Sequence, residues 1–237
     1  MEMEKHWFID SRYVAIGKEY DTHSAKARKI NINKSIKENK YLNYAHTLLL
    51  GLIGGMVEEH QNRPVSGDKK VKQRFLLTAA FIQGITLCQK SILSSLYLQA
   101  GNLIRQEFEC LCLLGEIKKC KRQDKKQVNV KHAPWKSSRH YGELSALAHL
   151  SDHKILESII QYNTSWGDFS SMVPQYKKEN TKRLYGFHIS LVLYLVFELQ
   201  DLYSEMYGFV FEDSDEDVLK NVIGILEESQ TLRGKNS

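Results

Sequence analysis

Only three prolines, Pro64, Pro134 and Pro174, interrupt a chain of 237 residues. Proline removes a backbone donor and clashes with the preceding turn of a helix, so its rarity leaves long stretches free to remain helical. Those stretches are rich in Leu, Lys, Glu and Gln, all good helix formers. At 42% hydrophobic and 26% charged, the chain has an ordinary globular composition. It is long enough to bury a sizeable core without staples. An all-α fold is expected, a single helical bundle over 41–237 with an irregular N-terminal arm over 1–40.

The arm is polar and shows no sustained helical period. Trp7, Phe8, Ile9, Tyr13, Val14 and Ile16 suit a short strand or an irregular packing segment there. Apolar spacing then predicts a helix from Tyr41 to Gln61, broken by Arg63-Pro64-Val65-Ser66-Gly67-Asp68. A second runs from Lys69 to about Ala100, with Phe75, Ala79, Ile82, Ile85 and Leu93 near one stripe. Gly101-Asn102 marks a kink or a short break. A third helix, Leu103 to Lys121, carries Ile104, Phe108, Leu111 and Leu114 at core spacing. After a loop over 122–138 come two short helices, Arg139 to Leu150 and Lys154 to Tyr162, and a loop from Asn163 to Pro174. The longest helix spans Tyr176 to about Tyr207, and Glu216 to Glu228 closes the chain. The acidic run Glu212 to Asp217 is placed to cap that last helix.

Several function classes are disfavoured. The N-terminus, Met1-Glu2-Met3-Glu4-Lys5, is acidic and polar where a signal peptide needs a basic start and an apolar run. The apolar stretches Thr47 to Val57 and Ile189 to Phe197 fall short of the roughly 20 residues that cross a bilayer. No membrane partner is therefore expected. Cys88, Cys110, Cys112 and Cys120 form no CxxC pair and read as reduced core thiols, which fits a cytoplasmic protein.

Charge divides the chain. Residues 1–138 hold 24 Lys+Arg against 13 Asp+Glu, a net +11; residues 139–237 hold 9 against 15, a net −6. The densest basic stretch carries Lys118, Lys119, Lys121, Arg122, Lys125, Lys126, Lys131 and Lys136, with Asp124 as its only acid. Such a stretch can follow a phosphate backbone, or simply form a solvated loop.

One set of polar residues repeats at helical spacing. Arg105 and Glu109 are four apart and share a face; Tyr141, Ser145 and His149 do the same on a later helix. If the two helices pack as an antiparallel hairpin, five polar groups meet inside an apolar setting. That is unfavourable unless they satisfy one another, so the row is either a structural network or a site. As a site, Arg105 binds phosphate or stabilises charge, His149 is acid or base, and Glu109 orients a partner.

These residues carry a resemblance. Leu103-Ile104-Arg105-Gln106-Glu107-Phe108-Glu109, then Tyr141-Gly142-Glu143-Leu144-Ser145-Ala146-Leu147-Ala148-His149, resembles a pattern of bacterial helical domains of unknown function. Those families pair an Arg-x-x-x-Glu helix with a Tyr-x-x-Leu-Ser-x-x-x-His helix, and the resemblance covers roughly 90–155. It implies a helical bundle and no settled chemistry. Separately, Arg183-Leu184-Tyr185-Gly186-Phe187-His188 resembles the Arg-x(4–6)-His motif of HEPN ribonucleases, with Leu184 where a polar residue is usual. Those proteins are helical, often dimeric, and common in toxin and phage-defence systems. The resemblance implies that Arg183 stabilises the phosphate and His188 is the acid–base group, cutting RNA through its own 2′-hydroxyl without metal.

No cofactor or metal set is expected. His149 and His153 are four apart, but Ser151-Asp152 should end their helix between them. The glutamates lack the Glu-x-x-His spacing of di-iron bundles. Gly51, Gly54 and Gly55 lie inside a helical run and read as close-packing positions, not as a phosphate loop. The expected function is an RNA-directed, HEPN-like protein, a homodimer if the resemblance holds. The contrasting reading is a non-catalytic helical interaction module with a structural polar network.

Overall fold

The computed structural model describes residues 11–229 apart from 124, 151, 165 and 166. The expected packing role of Trp7, Phe8 and Ile9 lies outside the described residues. Eight helices form among them: α1 Ser11–Glu38, α2 Lys40–Glu59, α3 Lys69–Leu93, α4 Tyr97–Lys118, α5 Tyr141–His149, α6 His153–Ile160, α7 Lys178–Tyr207 and α8 Asp213–Glu228. A hairpin of β1 Gln161–Thr164 and β2 Gly167–Ser170 joins α6 to α7, with Gln161 opposite Ser170. The chain is an all-α helical bundle.

The core lies where α7 meets α2, α3 and α4, with α8 closing it against α2. Ile85, Ile92, Phe108, Leu111, Ile189, Val192 and Val196 are sealed at its centre. α3 is long and apolar enough to cross a membrane by length and composition, a property the apolar runs of the sequence do not single out. It turns Phe81, Ile85, Cys88 and Ile92 into the bundle core.

Residues 11–38, expected as an irregular arm, are one long helix. The reason is the chemistry of its contact face. Asn31 and Ser35, four apart, are the buried positions of α1, and they dock by hydrogen bonds. Asn31 Nδ2 donates to the Pro174 carbonyl at 2.9 Å and Ser35 Oγ to the Leu93 carbonyl at 3.0 Å. A polar contact stripe leaves no hydrophobic period to detect.

The break expected at Gly101-Asn102 falls instead at 94–96. Ser95 takes a left-handed φ of 62°, Leu96 N–H bonds the Ser91 carbonyl at 2.9 Å, and Ser95 N–H bonds Ile92 at 3.0 Å. This is the two-bond helix terminator usually built on glycine; here serine carries it, so composition gives no warning. Gly101 is uninterrupted helix. A Cβ at Gly101 would overlap Leu147 Cδ2, so its bareness lets α5 lie close on α4. Gly51, Gly54 and Gly55 do not pack closely: a Cβ at any of them would meet nothing within 4 Å. Gly51 and Gly55 instead line an open groove with Tyr207, Phe209 and Val218.

Caps fix the ends. Asp68 accepts from Lys70 and Val71 N–H at 2.7 and 3.0 Å to start α3, and Asp152 does the same for α6. At α8, Asp215 accepts from Glu212 N–H at 3.0 Å, with Asp213 and Glu216 also in the positive first turn. The hairpin replaces the loop expected after Asn163, and Gly167, the first residue of β2, takes φ 126°.

Gly101→Val tests the α4–α5 contact. Loss of helical glycine favours the variant by about 0.5 kcal/mol, whereas overpacking against Leu147 costs roughly 1–3 kcal/mol. Urea denaturation is expected to show a net loss of stability, and an unchanged or raised midpoint would contradict the packing described.

Candidate functional site

The antiparallel hairpin expected of the Arg105 and His149 helices is present, with Gly101 against Leu147 and Phe108 against Tyr141. It assembles four of the five predicted polar residues. Arg105 is the hub: Nε donates to Glu109 Oε1 at 2.8 Å, Nη1 to His149 Nε2 at 2.8 Å and Nη2 to Tyr141 OH at 3.2 Å. Tyr141 OH in turn donates to Glu109 Oε1 at 3.0 Å, and the guanidinium lies 5.3 Å from the Tyr141 ring centroid. Ser145, half-buried between Tyr141 and His149 on α5, joins none of these bonds.

The electrostatics are consistent with that geometry. Burial works against the Arg105 charge, but the bonds to Glu109 and Tyr141 prevail and raise its affinity for its proton. Burial, then the bond to Glu109, also raises Tyr141, so the phenol keeps its proton. A guanidinium only donates, so His149 Nε2 must accept. The imidazole therefore carries its proton on Nδ1, and its Nε2 lone pair is taken up by Arg105. His149 and the edge of Arg105 stay open to solvent.

Arg183 and His188 do not meet. Arg183 lies at the surface in an ion pair with Glu143, while His188 is sealed in the core. Five residues of helix place them well apart around the axis. The basic loop is only partly free. Lys118 Nζ bridges Glu198 and Asp201 at 3.1 and 3.0 Å. Arg122 Nη1 lies 3.3 Å from Oε2 of the buried Glu116, whose Oε1 accepts from Asn129 N–H at 2.5 Å. Lys119, Lys121, Lys125 and Lys126 are exposed, as is Lys131. His153 pairs with Glu157 at 3.1 Å on α6, while His149 turns to Arg105.

A second polar cluster lies in the core, and of its members the sequence singles out only His188, for another role. His46 of α2, Cys88 of α3, Glu107 of α4 and His188 of α7 converge at the bundle centre, three of them fully inaccessible and Glu107 5% exposed. His188 Nδ1 lies 2.8 Å from Glu107 Oε2, and burial and then the neighbouring Glu107 carboxylate push the Cys88 thiol well above its ordinary range. The His46 ring stacks on His188 with centroids 5.2 Å apart. The four residues come from four helices and share no motif; the only sequence signal was a set of polar residues at otherwise apolar positions.

Comparison with protein-family models, with curated proteins and with solved structures finds no match for this chain.

Burial, reinforced by the neighbouring His188, pushes His46 down from 6.5 to about 3. The unfolded chain takes up this proton near pH 6.5 and the folded chain only near 3. Acidification between those values therefore favours unfolding; the stability is full above the window and falls within it. Relative to His46→Leu, the wild type should lose about 2–3 kcal/mol between pH 7 and pH 4.5. Urea midpoints of both proteins at both pH values check this, and parallel losses would contradict it.

Proposed function

We propose that this chain acts on RNA through the Arg105–Glu109–Tyr141–His149 cluster. The observation that carries the reading is the solvent-facing His149 Nε2 held 2.8 Å from Arg105 Nη1. A basic nitrogen and a fixed cation side by side are the two groups that metal-free phosphodiester cleavage needs. When the phosphate draws Arg105 Nη1 away from His149, the freed Nε2 lone pair takes the proton of the 2′-hydroxyl. The new bond from the 2′-oxygen to phosphorus forms as the bond to the 5′-oxygen breaks, and that oxygen leaves with a proton from solvent. Arg105 has five N–H donors, three of them in the network, and the other two face charge on the phosphate. Glu109 and Tyr141 hold the guanidinium in place. Lys119, Lys121, Lys125 and Lys126 supply further positive charge for the strand.

This reading keeps the ribonuclease chemistry of the HEPN resemblance and moves it from Arg183 and His188 to Arg105 and His149. A phage-defence or stress role belongs to the same resemblance. The second reading, a non-catalytic module, is favoured by the closure of the network, since every guanidinium nitrogen already has an internal partner.

Incubation with mixed RNA separates the two. Wild type should cut, leaving cyclic phosphate ends, and Arg105→Ala or His149→Ala should slow cutting by about 10²–10⁴-fold. His153→Ala should cut as wild type does. A wild type without activity, or equal activity in all four proteins, rules out the ribonuclease reading and leaves the module.

A further inference from the structure

The buried cluster is not explained by internal pairing. The His188–Glu107 contact satisfies part of it. His46 Nδ1 and Nε2, His188 Nε2 and Glu107 Oε1 are left without a hydrogen-bond partner, four of the eight such buried side-chain atoms among the described residues. Each unpaired buried polar group gives up its bonds to water with nothing in return. Four gathered at one point in the core of a bundle are too costly to be incidental packing. An apolar side chain at any of these positions would remove the cost.

The donor types narrow what would offset part of it, since an ion can take one nitrogen from each imidazole and either carboxylate oxygen. One donor atom from each of Cys88, Glu107 and His188 lies within 4.8 Å of the other two. Bonds of about 2.0–2.3 Å in a tetrahedral shell put neighbouring donors roughly 3.3–3.8 Å apart. The His188 Nδ1 to Glu107 Oε2 distance of 2.8 Å is a small adjustment from that range. His46 is the fourth buried donor. Its centroid separation from His188, 5.2 Å, is about the spacing of two imidazoles on one tetrahedral ion.

We propose that the bundle core binds one divalent transition-metal ion of the zinc class between the Cys88 thiolate, the Glu107 carboxylate and the His188 imidazole, with His46 beside it. A thiolate and imidazoles select against magnesium and calcium, which take oxygen ligands. Charge balances: one thiolate and one carboxylate neutralise a divalent ion, so the core carries no net charge. Without metal, burial and then the adjacent Glu107 hold Cys88 well above the ordinary thiol range, so it stays protonated. Binding expels that proton as the thiolate forms. All four residues lie on separate helices, so the ion would tie α2, α3, α4 and α7 together and act as a structural centre. The proposal does not rest on the RNA reading.

The test is cobalt substitution in the full chain. The protein is unfolded in chelator, refolded and titrated with Co²⁺ alone. About one equivalent should bind, with a thiolate-to-cobalt charge-transfer band and a raised melting temperature. Cys88→Ser should lose the band, and Cys120→Ser, at the exposed thiol, should keep it. No uptake, uptake without the band, or a band lost in Cys120→Ser and kept in Cys88→Ser would overturn the proposal. Should Cys88→Ser fail to fold, cobalt-edge X-ray absorption of the loaded wild type decides. One sulfur among nitrogen and oxygen neighbours supports the site; a shell with no sulfur, or with more than one, refutes it.

Discussion

α7 has almost no outside. From Leu184 to Leu199 nearly every side chain is buried, with α2, α3 and α4 packed around it. A helix enclosed in this way gains the apolar contacts of its whole circumference, which is what holds so long a bundle together. The same enclosure removes any cheap place for a polar group. Apart from Ser190, which bonds back to its own helix, these groups take partners on neighbours: Tyr185 OH bonds Asn43 and Gln89, and Thr181 meets Tyr97 at 2.8 Å. Glu198 takes Lys118, and His188 takes Glu107. The register of the four central helices is thus written in a few polar contacts inside an apolar mass.

The acidic faces of α7 also decide what becomes of the basic half of the chain. Arg74, 6% exposed, sends one nitrogen to Asp201 and another to Glu205, each at 2.6 Å, and Lys118 joins the same group. Glu116 anchors the loop that follows α4 through Arg122 and Asn129. The charge asymmetry of the sequence is therefore partly an internal matter, a basic α3–α4 segment docking on an acidic α7. The exposed lysines between 119 and 131 remain open to a partner, as do those along α1, among them Lys26, Lys29, Lys34 and Lys37.

Legibility followed distance along the chain. Arg105 with Glu109, and Tyr141 with His149, were visible because a four-residue step is a local fact of helix geometry, and a hairpin is the simplest way to join two such helices. The helical character of the bundle was visible for the same reason. α1 was hidden because its contact stripe is Asn and Ser. The end of α3 was hidden because a serine adopts the turn that glycine usually marks. The partners of His188 were hidden because nothing local links α7 to Glu107 or Cys88. The Arg183–His188 spacing illustrates the converse: two residues near in sequence, on one helix, that face different surroundings.

The bare backbone at Gly101 reaches further than local packing. The distance between Arg105 and His149 is set by how closely two helix axes approach, and that approach is limited at the point where Leu147 rests on the Gly101 backbone. One helical turn separates this point from the hub of the network. A single hydrogen atom thus acts as the fulcrum of the hairpin: any bulk added there would tilt α5 outward and draw the imidazole away from its cation, without touching either residue.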